Sequence, residues 1–226
     1  MLSDIIESKL IFFTGAPGSK WSAVSNVITS CPLIPFNKSD RSEDREYNSN
    51  RVQHKGSYWG PGMEFGKRFH ELNKLSKQEF IEECIKPFSE SLNGYLLIKS
   101  HVFAYHLKYL QDNFPLSKIM VVNRPPNESF EHWKAAGGFN IRYPNYLDYY
   151  KNLDQFKKFS LNEMQHSRQW IKDNDLPVYI ANSRHFKDFW NIELSSENYS
   201  FIKSIEQSLD VSVTYYNFDD IFFITR

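Results

Sequence analysis

Three short stretches of the chain carry residue types suited to handling an anion. The first is IFFTGAPGSKWSAV, Ile11 to Val24, which sets Gly15, Ala16, Pro17, Gly18, Ser19, Lys20, Trp21 and Ser22 in one run. The second is YLLIKSH, which ends in Lys99, Ser100 and His101. The third is KIMVVNRPPNES, with Arg124 just before two prolines. In the first stretch the glycines let backbone N–H groups turn toward a phosphate, Lys20 adds a point charge, and Ser19 and Ser22 add hydroxyls. The loop of a nucleotide kinase runs Gly, four residues, Gly, Lys, then Ser or Thr. Here Lys20 arrives one residue early, with no glycine before it. No acidic residue that would hold Mg²⁺ closes the later apolar runs, which end IKSH, VVNRPP and YIANS. A tight turn with a surface lysine is the plain alternative to a phosphate loop.

These residues need a scaffold, and the sequence outlines one. KLIFFTG is a short apolar run that reads as a buried strand feeding the loop, and SAVSNVITS puts Val24, Val27 and Ile28 on one helical face. YLLIKSH and KIMVVNR read as two further buried strands, and LPVYIAN as a fourth. Between them lie helical patterns. SKQEFIEECIKPFSESL has Ser76 as its cap and a bend or end near Pro87. VFAYHLKYLQDNF follows, then NESFEHWKAAGG with Asn127 as a cap. Residues 144–174 read as one long helix or two joined ones. HFKDFWN and ENYSFIKSIEQSLD are helical, and the tail VSVTYYNFDDIFFITR is extended. Alternating strands and helices predict an α/β fold with a mostly parallel central sheet and helices around it. The chain reads as one domain over 1–226. Residues 37–66, polar and without period, form a long surface loop or lid.

Composition narrows the function classes. The 226 residues carry 27 basic and 27 acidic side chains, for a net charge of zero. That balance argues against broad electrostatic binding to nucleic acid, while leaving room for a local basic pocket. Aromatic residues make up 16% of the chain, enough for a core and for a wall against a flat ligand. Cys31 and Cys84 sit in no metal or redox spacing and read as reduced core thiols. The start, MLSDIIESKLIFF, is acidic and its apolar run is too short for a signal or a membrane span. The expectation is a soluble cytoplasmic protein without a membrane partner.

In an open α/β sheet the ligand crevice lies at the carboxyl ends of the strands. Lys99, His101, Arg124 and the glycine loop therefore converge on one place. A histidine there can take a proton from an attacking hydroxyl while lysines stabilise charge on a group in flight.

With these motifs in this order, the chain resembles the sulfotransferases that use 3′-phosphoadenosine 5′-phosphosulfate. In that family a strand ends Lys-Thr-His, matched here at Lys99, Ser100 and His101. A later strand ends in Arg, followed by Asn-Pro and a helix, matched at Arg124 and Pro126. The early loop matches at Pro17, Ser19 and Ser22. The resemblance covers roughly residues 10–135 and implies a P-loop NTPase-like, three-layer fold. It implies His101 as general base, with Lys99 and Lys20 stabilising the transferred group. It places the 5′-phosphosulfate in the loop from Gly15 to Ser22, and the 3′-phosphate on Arg124 with Ser129 or His132. It requires no metal. The chain departs from the family at several points: Lys20 occupies the family's glycine position, and the family's late glycine- and lysine-bearing cofactor loop is not visible near the C-terminus. Gly18 stands where the family has its loop cation. His132 stands at the position of the serine that partners the arginine, with Ser129 nearby. Ala23 aligns with the tryptophan that stacks on adenine, with Trp21 close by.

The resemblance leads to a sulfuryl transferase acting on a hydroxyl or amine of a small-molecule or carbohydrate acceptor. His54, Tyr58 and Trp59, in SYWGPGMEFG and just before it, are candidate acceptor contacts, and AAGGFNIRYPNY can be read the same way. Two rivals belong beside this reading. One is a phosphoryl-transfer enzyme with a degenerate loop, which needs Mg²⁺ and an acidic ligand for it. The other is a non-catalytic binder of a nucleotide or a protein partner.

Overall fold

The run LIFFTG becomes the strand β1 (Leu10–Gly15), buried along its whole length, as a strand flanked and covered on both sides must be. A computed structural model describes residues 7–19, 21, 25, 57–58, 69–85, 94–141, 146–174, 178–180 and 222–224. The two-residue β2 (Ser57–Tyr58) lies at one edge of a parallel sheet, beside β3 (Leu96–Lys99). β3 pairs with β1, and β1 with β4 (Lys118–Val122), so the order is β2-β3-β1-β4. The register sets Phe13 opposite both Lys99 and Met120, and Gly15 opposite Val122. β1 and β4 thus finish level, while β3 stops opposite Phe13, two residues short of them, and the residues that follow all three start from one edge.

Alternation divides the strands between two faces. Leu10, Phe12, Leu96, Ile98, Ile119 and Val121 point to the main core. That core is closed by three covers. The segment from the 3₁₀ turn Phe69–Lys74 through α1 (Lys77–Phe80) and its π-type continuation Ile81–Ile85 supplies Leu72, Phe80 and Ile85. Leu107 and Leu110 come from α2 (Leu107–Asn113). Trp170 and Ile171 come from the far end of a long helix described below. On the opposite face Phe13 stacks on Trp21, and Lys99 reaches Ser25; both partners are helical. Helices therefore flank a parallel sheet, as expected of an α/β chain. Among the described residues no helix is long and apolar enough to cross a membrane.

Several expectations meet their elements. Ser76 caps α1 in a reciprocal box, its hydroxyl accepting from the Glu79 N–H and the Glu79 carboxylate accepting from the Ser76 N–H. Residues 144–174 hold two joined helices: Tyr146–Tyr150 and the 21-residue Leu153–Asp173. They break at Lys151, whose φ of 56° leaves the helical region, and Asn152 caps the second by accepting from the Gln155 N–H at 2.9 Å.

Other expectations need correction. VFAYHLKYLQDNF is not one helix: a 3₁₀ turn over His101–Tyr105 ends at His106, and α2 starts afresh. Asn127 is not a cap. The helix α3 (Pro126–Ala135) begins after Pro125, with Asn127 inside its first turn. Proline lacks an N–H and has its φ fixed near the helical value, so Pro126 serves as a first helical residue and draws the start forward. The strand from LPVYIAN, β5 (Val178–Ile180), does not extend the parallel series. It pairs antiparallel with β6 (Phe222–Ile224) in a separate two-stranded sheet. An apolar run predicts a strand but not its partner. Continuing the helix numbering, α4 is Tyr146–Tyr150 and α5 is Leu153–Asp173.

Of the predicted helix SAVSNVITS, only Ser25 is described; Val24, Val27 and Ile28 lie outside the described residues. Of the candidate lid, Ser57 and Tyr58 are described. Pro87, HFKDFWN, ENYSFIKSIEQSLD and both cysteine side chains also lie outside.

Candidate active site

The site is built where β1, β3 and β4 end. Directly after β1 the chain turns at Ala16–Ser19, closed by a hydrogen bond from the Ser19 N–H to the Ala16 carbonyl at 3.0 Å. Two glycines make the turn possible. A Cβ on Gly15 would stand 2.8 Å from the Val122 carbonyl of β4. Gly18 has φ +81°, and a Cβ there would overlap the Ser129 carbonyl and approach Trp133 Cβ to 2.9 Å. The loop is therefore seated against α3 through bare backbone. That contact explains why no cationic side chain stands at position 18: there is no room for its first carbon. It also brings the loop and the Arg124–Ser129 segment into one place.

His101 is the second residue after β3, and three contacts fix it. Its carbonyl accepts from Thr14 Oγ1 at 3.3 Å. Its Nδ1–H donates to the Gly15 carbonyl oxygen at 2.5 Å. Its ring packs on Trp21, with centroids 4.0 Å apart. A carbonyl only accepts, so the imidazole proton is on Nδ1 and the lone pair on Nε2. Nε2 faces the Tyr146 hydroxyl at 3.3 Å. The side chain is 6% exposed, and burial lowers its pKa from 6.5 to about 4, the Gly15 bond partly opposing that shift. His101 is thus a neutral imidazole with a lone pair held in a fixed direction.

Lys99 is fully buried and hydrogen-bonds Ser25 Oγ at 3.3 Å. Burial pushes its ammonium well below the ordinary lysine range. A negative ligand would reverse that shift, since an opposite charge favours the protonated form. Arg124, at the β4 end, pairs through Nη2 with Glu128 at 2.9 Å. Among the described residues its Nε and Nη1 are buried without a hydrogen-bond partner, and so are Ser19 Oγ and Ser129 Oγ. Buried donors left open in this way are costly in a protein that binds nothing. Open donors of this kind suit an anion.

Gly15, Ala16, Pro17, Gly18 and Ser19 make the turn, and Lys99, His101, Arg124 and Ser129 stand around it. His132 lies on the last part of α3, half-buried, farther along than Ser129. Trp21 is enclosed between Phe13 and His101 at 3% exposure, so its ring forms a wall behind the imidazole. Tyr58 is placed by its backbone opposite Lys99. Lys20, Ser22, His54 and Trp59 lie outside the described residues. Sequence reasoning did not single out Tyr146, Ser25 or Asn123. Tyr146 closes AAGGFNIRYPNY, the segment read as packing or as acceptor contact, but nothing in its spacing pointed at His101. Asn123, 1% exposed and with both amide atoms unpartnered among the described residues, precedes Arg124 in a run that reads only as strand.

Comparison with family models, with curated proteins and with solved structures finds no match to this chain.

Proposed function

We propose that this chain is a cytoplasmic sulfuryl transferase of P-loop NTPase-like, three-layer architecture. It would use 3′-phosphoadenosine 5′-phosphosulfate as donor and a hydroxyl or amine of a small molecule or carbohydrate as acceptor. The observation that carries the reading is the neutral, Nδ1-protonated His101, anchored to the carbonyl of Gly15 at the mouth of the glycine loop. A base with its lone pair fixed beside an anion loop suits removal of a proton from a nucleophile as a charged group is transferred. The motif order of the sequence and the open donors of Arg124, Ser19 and Ser129 support the same reading.

The residues divide the work. Gly15–Ser19 and its backbone N–H groups hold the 5′-phosphosulfate end, with Lys20 as the loop cation. Arg124 and Ser129 hold the 3′-phosphate, for which Arg124 exchanges or shares its Glu128 partner. Lys99 stabilises the group in flight, and the negative charge that arrives favours its protonated form. His101 Nε2 receives the acceptor proton. The donor supplies the activated sulfuryl group when bound.

Arg124→Ala tests the reading of the 3′-phosphate. Adenosine 3′,5′-bisphosphate should raise the melting temperature of the wild type more than adenosine 5′-monophosphate does. The substitution should remove about 1.5–3 kcal/mol of that preference, the value of a charge-assisted contact. Equal shifts from the two nucleotides in the wild type would end the assignment.

A further inference from the structure

Arg124 offers its donors in a pattern that its partner already divides. A guanidinium grips an oxyanion with two parallel bonds through one of two edges, Nε with Nη2 or Nη1 with Nη2. Nη2 belongs to both edges, and it is the nitrogen that Glu128 holds, at 2.9 Å. Nε and Nη1, the two buried nitrogens without a partner among the described residues, share no edge with each other. An anion that takes Arg124 with two bonds therefore shares Nη2 with the carboxylate or displaces it.

The pair is placed so that the carboxylate can give way. The Arg124 side chain is 11% exposed and the Glu128 side chain 49%. The arginine is thus enclosed while its partner stands largely in solvent, where an ion pair is weak. Glu128 lies in the first turn of α3, where the helix N-terminus favours a carboxylate. The next residue, Ser129, lends the carbonyl against which Gly18 of the glycine loop is seated. The turn of helix that carries the carboxylate therefore abuts the loop.

We propose that Glu128 is a specificity-determining residue of the Arg124 subsite, a built-in anion that a ligand's own oxyanion must outcompete. A carboxylate tethered four residues from the arginine is present at high effective concentration, so a free small anion competes poorly against it. A ligand already held by Gly15–Ser19 presents its second anionic group in the same intramolecular way and takes the arginine. Glu128 thus keeps stray anions off Arg124 and admits a ligand anchored at two points. The proposal rests on the reading of Arg124 as an anion ligand, and not on which molecule carries the anion.

The test follows the Arg124 Nε resonance of the full chain labelled with ¹⁵N-arginine, identified as the one lost in Arg124→Ala. The probes are inorganic sulfate, with two charges, and methyl sulfate, with one, each titrated at constant ionic strength because salt screens the effect. Glu128→Gln keeps an oxygen that accepts from Nη2 and removes the charge. It should tighten sulfate binding by roughly fivefold, the upper end for a pair with an exposed partner. Methyl sulfate should gain only about twofold, because the repulsion removed scales with the charge of the ligand. Glu131→Gln makes the same change of charge at an exposed position of the same helix and should move neither affinity. Equal gains for the two probes would overturn the proposal, since a residue that only steadied the helix acts on both alike. Gains in Glu131→Gln as large as those in Glu128→Gln would do the same, as would a resonance that sulfate leaves unmoved in Glu128→Gln. Adenosine 3′,5′-bisphosphate, titrated on the same resonance, separates this proposal from the donor reading. The expected order for the two sulfates with no response to the nucleotide would leave Glu128 its role and contradict the assignment of the donor.

Discussion

His101→Ala is expected to leave the binding of adenosine 3′,5′-bisphosphate nearly unchanged and to lower turnover by on the order of 10²–10⁴-fold, the range for a lost general base. The separation follows from position. The imidazole bonds the Gly15 carbonyl through Nδ1 and points Nε2 at Tyr146, so neither ring nitrogen is assigned to a phosphate. Removing it takes away the proton acceptor without removing a phosphate contact. The buried imidazole also gives a pH signature. Its folded pKa, about 4, is below the 6.5 of the exposed side chain. The unfolded chain therefore binds the extra proton first as pH falls. The stability that neutral His101 contributes is fully present above about 6.5 and is lost progressively toward 4. His101→Ala should lose less stability over that window than the wild type in thermal unfolding followed against pH. A variant that turns over at the wild-type rate would reduce the IKSH strand end to a structural feature. A wild type with no steeper acid loss than the variant would contradict the buried neutral imidazole.

Gly18→Ala is expected to cost roughly 2–5 kcal/mol of stability, combining a left-handed backbone strain with overpacking against fixed backbone. The neighbour that a Cβ meets is the Ser129 carbonyl, within helix α3, and it cannot rotate aside as a side-chain tip can. Trp133 Cβ, 2.9 Å away, closes the other direction. For a chain of this size the loss corresponds to a fall of about 5–15 °C in melting temperature. Ser19→Ala is the control. It removes a buried hydroxyl with no partner, so it should leave stability almost unchanged while weakening anion binding. If Gly18→Ala melts with the wild type, the loop is not seated on α3, and the convergence of loop and arginine fails with it.

The central sheet was legible because its strands are short, almost wholly apolar and bounded by Gly15, Ser100 and Asn123. Burial on both faces leaves no other reading for LIFFTG or LLIK. The site was legible where chemistry and strand ends coincide, at Lys99, His101 and Arg124. What stayed hidden depends on the third dimension. Tyr146 meets His101 across 45 residues of chain, and no period in the sequence reports that contact. Lys99 reads as a cation facing a ligand, but its side chain is fully buried and hydrogen-bonds Ser25 Oγ. The antiparallel β5–β6 pair was hidden for a similar reason, since an apolar run says that a strand exists and not which edge it joins. Asn127 was misplaced as a cap because its residue type favours that role, while Pro125 and Pro126 set the helix start by their backbone alone.

The donor site is the central claim, and calorimetric titration of the unaltered chain tests it most directly. Adenosine 3′,5′-bisphosphate and ATP–Mg²⁺ are titrated in separate experiments, the former with and without Mg²⁺. The account predicts that adenosine 3′,5′-bisphosphate binds the more tightly and that the metal adds nothing to its affinity, because in the proposed site Arg124, Ser19 and Ser129 would meet the phosphates directly. Tight binding of ATP–Mg²⁺ with none of adenosine 3′,5′-bisphosphate would contradict it and assign the glycine loop to phosphoryl chemistry instead.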